Sequence, residues 1–413
     1  MVTRLLPLLA LAGGCDLITD SFVTNDFSGD PSPIRVETDS GAIVVGLREA
    51  DLADRVAVID LLSPVTIVDP GPGVAPIVVT ADLTLLGKRA AGDALDLPRA
   101  RLRSAQTIEV HPCPEAGCTV GEPAMPRPYD AIIGADVLAG DAVRLRIGDD
   151  QISILADVGG GEEARAYACD AVFPSPYRGG GTLVIAGTEL PFGGRRITLP
   201  TCLGVNPDPL VSQAQRGADA LMVASTGIGI TLLGVAAYER YRLARPGTPA
   251  VDSLPDEIVL LPSGAIAGKR TVIDRLALVA RSTSTPRAPC RSAFGHHTLT
   301  ERNCTAGDDC VCEEDETFCA VPAVVELSPA AGIDILVIAD DEPILQALRT
   351  ELRPDQPEVD GILGTNAMRD AELDIDYPHD RLLARCTNVG CATRPALPTV
   401  NDRAHVQACL GEP

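Results

Sequence analysis

Short apolar runs, separated by turn-forming residues, recur through most of the chain. They are AIVVG, VAVID, VTIVD, PIVVTADLTLL and VRLRIG in the first half, and TLVIAG, RRITLP, ALMVAS, EIVLLP and LALVAR in the second. Runs of this length that are rich in Val, Ile and Leu and bounded by Gly, Pro or Asp are typical of β-strands. Their number and close spacing predict an all-β protein of barrel or sandwich type, with a few short helices.

One segment has the periodicity of a helix instead. In DDEPILQALRTELRP, residues 340–354, the apolar residues Ile344, Leu345, Leu348 and Leu352 recur at the spacing of one helix face. A proline ends the segment, as is common just after a helix. The pattern predicts a short amphipathic helix.

Polar and turn-rich stretches divide the chain into successive parts. Residues 16–33 are polar without a strong period, and SPYRGGG near residue 180 separates the two groups of apolar runs. Such stretches are typical of tethers and linkers. We therefore expect a signal segment at 1–15, a tether at 16–33, an N-terminal β-barrel lobe at 34–160, a linker at 161–180, a C-terminal β-barrel lobe at 181–395 with a Cys-rich insertion at 288–320, and a tail at 396–413.

The first fifteen residues have the pattern of an export signal. Arg4 precedes an apolar run at 5–11, three small residues follow, and then comes Cys15. A short secretory signal has this order of charged, apolar and small residues. A small-residue turn that ends at a cysteine resembles a bacterial lipoprotein signal, which implies that Cys15 is lipidated and anchors an extracytoplasmic protein to a membrane of the cell envelope. The alternative is a cysteine that follows a short hydrophobic start by chance.

The charge and the aromatic content of the chain restrict the classes of partner and of fold that we expect. The chain has 57 acidic and 34 basic residues, a formal net charge of −23, and no run of Lys and Arg. This balance excludes nucleic acid as an expected partner, because nucleic-acid binding needs clustered positive charge. Aromatic residues make up only 3% of the chain and Trp is absent, so the core is expected to consist of aliphatic side chains, which favours β-structure.

The thirteen cysteines form an even set once Cys15 is set aside, since thirteen minus one leaves twelve. An even number in an exported chain predicts disulfides. Local spacing favours Cys113 with Cys118 and Cys386 with Cys391. The pairing of the other candidates stays open: Cys169, Cys202, Cys290, Cys304, Cys310, Cys312, Cys319 and Cys409.

Five of these cysteines lie between residues 288 and 320, beside His296 and His297. In an exported protein this composition indicates a disulfide-stapled surface insertion, without a metal or a cofactor. Because five is odd, one member pairs outside the insertion, and Cys409 is a candidate. The alternatives are a zinc site at the two histidines and a calcium loop. Such a loop would use Asp308, Asp309, Glu313 and Glu314.

An internal repeat connects the two halves of the chain. YDAIIGADVLAGDAVRLRIGDDQISIL begins at Tyr129, and VDGILGTNAMRDAELDIDYPHDRLLA begins at Val359. Each copy has an Asp, a small residue, two apolar residues, a Gly, a short helix-like turn and then a pair of strands. Self-similarity of this length predicts two copies of one structural unit.

The repeat resembles the pepsin-like and retropepsin-like aspartic proteases. In that family an apolar-apolar-Gly strand lies against a catalytic Asp-Thr-Gly loop in each of two related β-barrel lobes, with a cleft between the lobes. The resemblance implies a bilobal pepsin-like fold over roughly residues 35–390. The triplets that match are Ile132-Ile133-Gly134 and Ile362-Leu363-Gly364.

The first loop candidate is VAVIDLLSPVTIVDPG. Asp60 follows four apolar residues, as the family's catalytic aspartate does, but Leu61 and Leu62 stand in the places of Thr and Gly. The resemblance implies that Asp60 is the retained acid. The alternative is that Asp60 is an ordinary residue at the end of a strand.

The second loop candidate is ALMVASTGIGITLLG. Thr226 and Gly227 follow an apolar strand as in the family, and Ser225 occupies the place of the aspartate. The nearest acid, Asp219, lies six residues too early to replace it. One loop therefore keeps the acid and the other keeps the Thr-Gly pair.

Chemistry sets the functional expectation. The family's mechanism needs two carboxylates about 3 Å apart that share one proton. Loss of one acid–base partner lowers the rate by a factor on the order of 10²–10⁴. We therefore expect a proteolytically inactive or weak homologue that binds an extended polypeptide in the interlobe cleft or acts as an envelope scaffold. The alternatives are an active endopeptidase with a second acid from another chain or an unrecognised position, and a purely structural lipoprotein.

Overall fold

The computed structural model describes the following ranges of the chain. They are residues 26–27, 32–33, 35–36, 41–49, 55–69, 77–88, 95–109, 129–139, 142–155, 171–174, 176–185, 188–205, 217–261, 264–279, 323–327, 332–352, 358–386 and 391–395. Several predicted features lie outside the described residues: the signal segment with Cys15, Cys113, Cys118, Cys169, the Cys-rich insertion and Cys409.

Most of the described residues lie in β-strands, and the helices among them are short. The first half contains β1 (Asp26–Phe27), β2 (Ser32–Pro33), β3 (Arg35–Val36), β4 (Ile43–Glu49), β5 (Arg55–Ile59), β6 (Ile67–Val68), β7 (Ile77–Lys88), β8 (Leu95–Glu109), β9 (Ala131–Ile133), α1 (Ala135–Leu138), β10 (Ala142–Arg146), β11 (Gln151–Leu155), β12 (Ala171–Pro174), β13 (Tyr177–Arg178), β14 (Gly181–Ile185) and β15 (Thr188–Phe192).

The second half has the same character. It contains β16 (Arg196–Leu203), β17 (Ala218–Ala224), β18 (Thr231–Gly234), α2 (Val235–Ala244), β19 (Asp256–Leu261), β20 (Gly264–Ile273), β21 (Leu276–Val279), β22 (Ala323–Leu327), β23 (Ile333–Ile338), α3 (Pro343–Glu351), β24 (Gly361–Leu363), α4 (Thr365–Met368), β25 (Ala371–Asp376), β26 (Arg381–Cys386) and β27 (Cys391–Pro395). Short 3₁₀ turns occupy Ile147–Asp149 and Val251–Ser253. The prediction of a mostly β protein with a few short helices is confirmed.

The predicted amphipathic helix is present as α3. Pro343 occupies its first turn, where proline's fixed φ suits a helix and its missing N–H costs nothing. Leu345 and Leu348 are buried and pack into an apolar cluster of the second half. The helix is shorter than the predicted segment because it begins only at this proline.

The strands form two large sheets, a six-stranded sheet and a separate hairpin of β14 and β15. In the first large sheet the pairings run from β4 through β5, β9, β6, β8 and β7 and return to β4, so the sheet curls back on itself. The second large sheet has the order β19-β20-β23-β18-β24-β17-β16-β21-β22-β27. Strands β1 and β2 fall within the segment predicted as a tether, and β12 and β13 fall within the segment predicted as a linker.

The same pairing pattern occurs in a first repeat (β5–β11) and a second repeat (β17–β26). β5 runs parallel to β9, with Ile59 opposite Ile133, and β17 runs parallel to β24, with Ala224 opposite Leu363. β6 then pairs antiparallel with β9 and parallel with β8, and β18 pairs in the same way with β24 and β23. The sequence repeat is therefore also a repeat of strand topology.

The six-stranded sheet joins the two repeats. Its order is β12-β26-β25-β10-β11-β2, and β10 pairs antiparallel with β25 at its centre. Arg144 lies opposite Asp374 in this register, and the two residues are 230 positions apart. Gly134 and Gly364, which precede α1 and α4, are separated by the same interval. An approximate two-fold axis relating the repeats therefore passes between Arg144 and Asp374.

Every residue of β25 is buried, although its side chains alternate between apolar and acidic. Leu373 and Ile375 belong to the main apolar core, which contains residues from both repeats. The acidic side chains Glu372, Asp374 and Asp376 are at most 2% exposed and lie against arginines. The arginines that contact them are Arg144, Arg146, Arg381 and Arg385. Buried carboxylates require such partners, because an unpaired charge is costly to desolvate.

One of the two predicted local cysteine pairs lies in the described residues. The sulfur atoms of Cys386 and Cys391 are 2.08 Å apart, so the pair forms a disulfide next to the turn between β26 and β27. Cys202 in β16 is also disulfide-bonded.

Candidate functional site

The first loop leaves the sheet at the end of β5. The backbone N–H of Asp60 donates to the carbonyl oxygen of Ile133 at 3.0 Å, which continues the pairing of β5 with β9. The chain then turns, because the N–H of Leu62 donates to Asp60 Oδ1 at 2.9 Å and the N–H of Ser63 donates to the Asp60 carbonyl, also at 2.9 Å. The turn holds the Asp60 side chain above the end of the strand.

The second loop repeats this geometry with a serine. The N–H of Ser225 donates to the Leu363 carbonyl at 3.0 Å, as Asp60 does to Ile133. The N–H of Gly227 donates to Ser225 Oγ at 3.2 Å, in the same relation as Leu62 to Asp60. Ser225 therefore occupies the position in the second repeat that Asp60 occupies in the first, 165 residues earlier.

Both apolar-apolar-Gly triplets support these loops from below. A Cβ on Gly134 would lie 2.4 Å from the carbonyl oxygen of Val65, and a Cβ on Gly364 would lie 2.6 Å from that of Ile230. A backbone carbonyl oxygen cannot move away from such a contact as the end of a flexible side chain can. Only glycine fits at either position, which explains why each triplet ends in Gly.

A hydroxyl at an equivalent position in each loop completes the support. Thr66 Oγ1 accepts the N–H of Gly134 at 3.1 Å and donates to an Asp136 carboxylate oxygen at 2.8 Å. In the second repeat, Thr231 Oγ1 accepts the N–H of Gly364 at 3.2 Å and donates to Asn366 Oδ1 at 2.9 Å. Each loop is thus fixed to the turn that follows its triplet.

An aspartate also holds the strand that precedes each loop, four residues before Asp60 and Ser225. Asp130 Oδ2 accepts the N–H of Val56 at 2.9 Å, and Asp360 Oδ2 accepts the N–H of Leu221 at 2.9 Å. These are the aspartates that open the two sequence repeats. Their presence in the repeat is therefore explained by backbone support and not by direct chemistry.

The two loops meet at their side chains. Ser225 Oγ donates to Asp60 Oδ1 at 2.9 Å, and the N–H of Gly227 donates to the same oxygen at 3.2 Å. With the N–H of Leu62, Oδ1 accepts hydrogen bonds from three donors. Among the described residues, none donates to Oδ2. The predicted site residues Asp60, Ser225 and Gly227 are therefore in direct contact.

Thr226 connects the loops a second time. Its Oγ1 donates to the Ile59 carbonyl at 2.7 Å and accepts the N–H of Leu61 at 3.1 Å. The equivalent residue of the first loop is Leu61, a buried apolar side chain that can make neither bond. The bracing between the loops is therefore one-sided.

The environment of Asp60 opposes its ionisation. Part of the residue remains accessible to solvent, whereas both loops enclose its Oδ1 side. Burial is the largest influence and raises the pKa of the Asp60 carboxyl above its usual range, against the hydrogen bonds from Leu62, Ser225 and Gly227 and the positive charge of Arg196. Arg196 itself is ion-paired with Glu351 at 2.7 Å.

Ser225 has no exposed surface, so its hydroxyl is closed to a substrate. The hydroxyl acts as a hydrogen-bond donor to Asp60 and does not supply a second titrating carboxylate. Without one, no proton is shared and no acid–base pair with two separated pKa values forms. The arrangement can hold one carboxyl at the junction of the repeats, but it lacks one half of the two-acid mechanism.

Some features of the site could not be foreseen from the motif. Leu62 is only 8% exposed, and its side chain belongs to an apolar cluster that otherwise contains residues of the second half. Thr66 lies in the stretch that, with Ser63 and Val65, resembles the family's continuation after the loop, and Thr231 lies in the stretch that follows the second loop. The sequence did not show that both hydroxyls accept the N–H of a triplet glycine, although their equal position six residues after Asp60 and Ser225 is a signal of it.

The comparisons with known proteins identify no family. The chain matches no model of a known protein family and no curated protein. In the part of the chain that the structure describes, no helix has the length and apolar character needed to cross a membrane.

Proposed function

We propose that this protein is a lipid-anchored, extracytoplasmic protein with a bilobal, aspartic-protease-like fold that has lost most or all proteolysis and binds an extended polypeptide between its lobes. The observation that carries the proposal is the hydrogen bond from Ser225 Oγ to Asp60 Oδ1. It lies where the resemblance to aspartic proteases requires contact between two carboxylates.

The repeated loop geometry supports the resemblance. Each repeat has a loop after a strand, a supporting glycine triplet, a threonine hydroxyl that bonds the triplet glycine and an aspartate that bonds the strand before the loop. Separate hydrogen bonds from Ser225, Thr226 and Gly227 hold the two loops together. A protein that keeps these supporting contacts but lacks the second acid is expected to use the cleft for binding.

The chemistry of the pair supports the loss of activity. A serine hydroxyl cannot protonate the substrate carbonyl as a carboxylic acid does, and its replacement of one acid removes a factor on the order of 10²–10⁴ in rate. The one-sided bracing by Thr226 lowers the precision of the remaining acid, and positioning errors of about 1 Å can cost a further 10²-fold.

The charge on the two-fold axis argues against an active enzyme that borrows its second acid from another copy of the first repeat. Arg144 faces Asp374 with paired contacts at 2.7 and 2.8 Å. Two first repeats joined by the same symmetry would place Arg144 against Arg144. Like charges in direct opposition are destabilising, so the two repeats of one chain are the favoured partners.

Binding of an unfolded polypeptide tests the proposal. A fluorescent, reduced and carboxymethylated polypeptide should give a saturable rise in anisotropy, whereas its folded, disulfide-intact form should not. Hydrogen exchange of the complex should slow in the loops 60–66 and 225–231. Absence of saturable binding would contradict the ligand-binding role and favour a scaffold.

The anchor is tested separately. Mass spectrometry of the protein from membranes of its native host should find a diacylglyceryl-modified Cys15 as the first residue. A mature chain that retains an unmodified Met1 would contradict the lipid anchor, without bearing on the site.

A further inference from the structure

We infer that Leu62 is a positioning residue that is coupled to Ser225: the side chain at position 62 occupies the space that a carboxylate at position 225 would need. This inference rests on the proposed function, because it explains why the dyad is broken in two places. The family motif alone shows only that Leu62 stands in the place of a glycine, whereas the inference gives this residue a role.

Gly227 is the equivalent of Leu62 in the second loop. A Cβ at position 227 would lie 2.6 Å from Asp60 Cγ and 2.7 Å from Asp60 Oδ2. Position 227 therefore faces the carboxyl of the opposite loop, and only glycine is compatible with an aspartate there.

The same relation holds in the other direction. Leu62 and Gly227 each donate their N–H to the side chain two residues earlier, so the loops are related by the approximate two-fold axis. By the same relation, the Cβ of Leu62 should be directed toward residue 225. Serine has a single atom there, its Oγ, which fits beside Leu62, whereas an aspartate would place a carboxyl carbon and two oxygens in the same space.

The side chain of Leu62 also stabilises the arrangement of the two loops. It packs in the same cluster as Val223 and Ile228, next to the second loop. Burial of a leucine side chain stabilises the folded state in proportion to the apolar area removed from water. The large side chain at position 62 is therefore compatible with the short side chain at position 225. In the same way, Gly227 is compatible with Asp60 in the opposite loop.

Two substitutions at position 62 test the coupling. Leu62→Ala and Leu62→Gly both remove the side chain from the cluster, but only Gly also removes the Cβ. In the wild-type background, Leu62→Gly should melt about 2–4 °C below Leu62→Ala, since glycine loses more conformational freedom on folding than alanine does. In the Ser225→Asp background the order should reverse, with Leu62→Gly the more stable.

The reversal is the deciding result. The same order in both backgrounds, or equal loss of folding in both double variants, would overturn the coupling. If the single Ser225→Asp variant does not fold, soluble folded protein recovered with Leu62→Gly and not with Leu62→Ala supports the inference. Failure of the proposed function is recognised independently, by Asp60-dependent cleavage in the wild-type protein, which leaves the stability comparison unaffected.

Discussion

The two loops share a backbone frame and differ in the side chains that face each other. In the first loop an acid, Asp60, is followed by Leu61 and Leu62. In the second loop Ser225 takes the position of the acid and is followed by Thr226 and Gly227. Below the loops, the supporting hydrogen bonds are equivalent in both repeats.

This difference separates the residues that support the loops from those at the candidate site. The glycine triplets lie against loop backbone, and the threonine hydroxyls and Asp130 and Asp360 bond to backbone N–H groups, so each loop needs them whichever side chain its tip carries. The side chains of Asp60 and Ser225 at the tips bond to each other instead.

The largest effect is expected on the two-fold axis. Asp374→Ala removes the closer carboxylate partner of Arg144 and leaves the 3.4 Å contact with Glu372, so the loss should approach the value of about 3–5 kcal/mol that is typical of breaking a buried pair. Chemical denaturation should show this loss in the free energy of unfolding. The exchange Arg144→Asp with Asp374→Arg should be more stable than Arg144→Asp alone. No difference between those two variants would mean that the ion pair between these residues does not stabilise the fold.

The next effect compares the two supports directly. Gly134→Ala and Gly364→Ala each drive a Cβ into a loop carbonyl, and overpacking of this kind costs about 1–3 kcal/mol. We expect similar losses in the free energy of unfolding for both. Gly148→Ala, at an exposed position in a 3₁₀ turn, is the control and should change little. A loss at only one of the two glycines would show that the repeats are not equivalent.

A smaller effect is expected at the bracing hydroxyl. Thr226→Val keeps the shape of the side chain but leaves the N–H of Leu61 and the carbonyl of Ile59 without their partner, at a cost of about 1–2 kcal/mol. Thr226→Ser retains the hydroxyl and should lose less. If valine and serine have the same melting temperature, the hydroxyl does not brace the loops.

The smallest effect is a pH dependence at the first loop. Because burial raises the folded-state pKa of Asp60, its contribution to stability is fully present below the unfolded-state pKa and is lost as the pH rises through the folded-state value. Asp60→Asn cannot ionise, so its melting temperature relative to wild type should increase from pH 3 to pH 7. A difference that stays constant or falls would contradict the raised pKa.

Much of this arrangement could be predicted from the chain. The apolar runs gave the strands, and the repeat placed Asp60 and Ser225 opposite each other because each follows a strand paired with a glycine triplet. The role of Leu62 could not be predicted, since packing across the two repeats depends on distances that no local pattern contains. The acids of β25 were also unforeseen, because a buried strand with alternating charges resembles a half-exposed one.

Cleavage of an unfolded substrate by the purified wild-type protein from pH 3 to pH 8 is the most direct test of the broken dyad. We predict no cleavage that depends on Asp60, so that wild type and Asp60→Asn give the same background rate, with or without pepstatin. Pepstatin-sensitive cleavage by the wild type that is lost in Asp60→Asn would contradict the account.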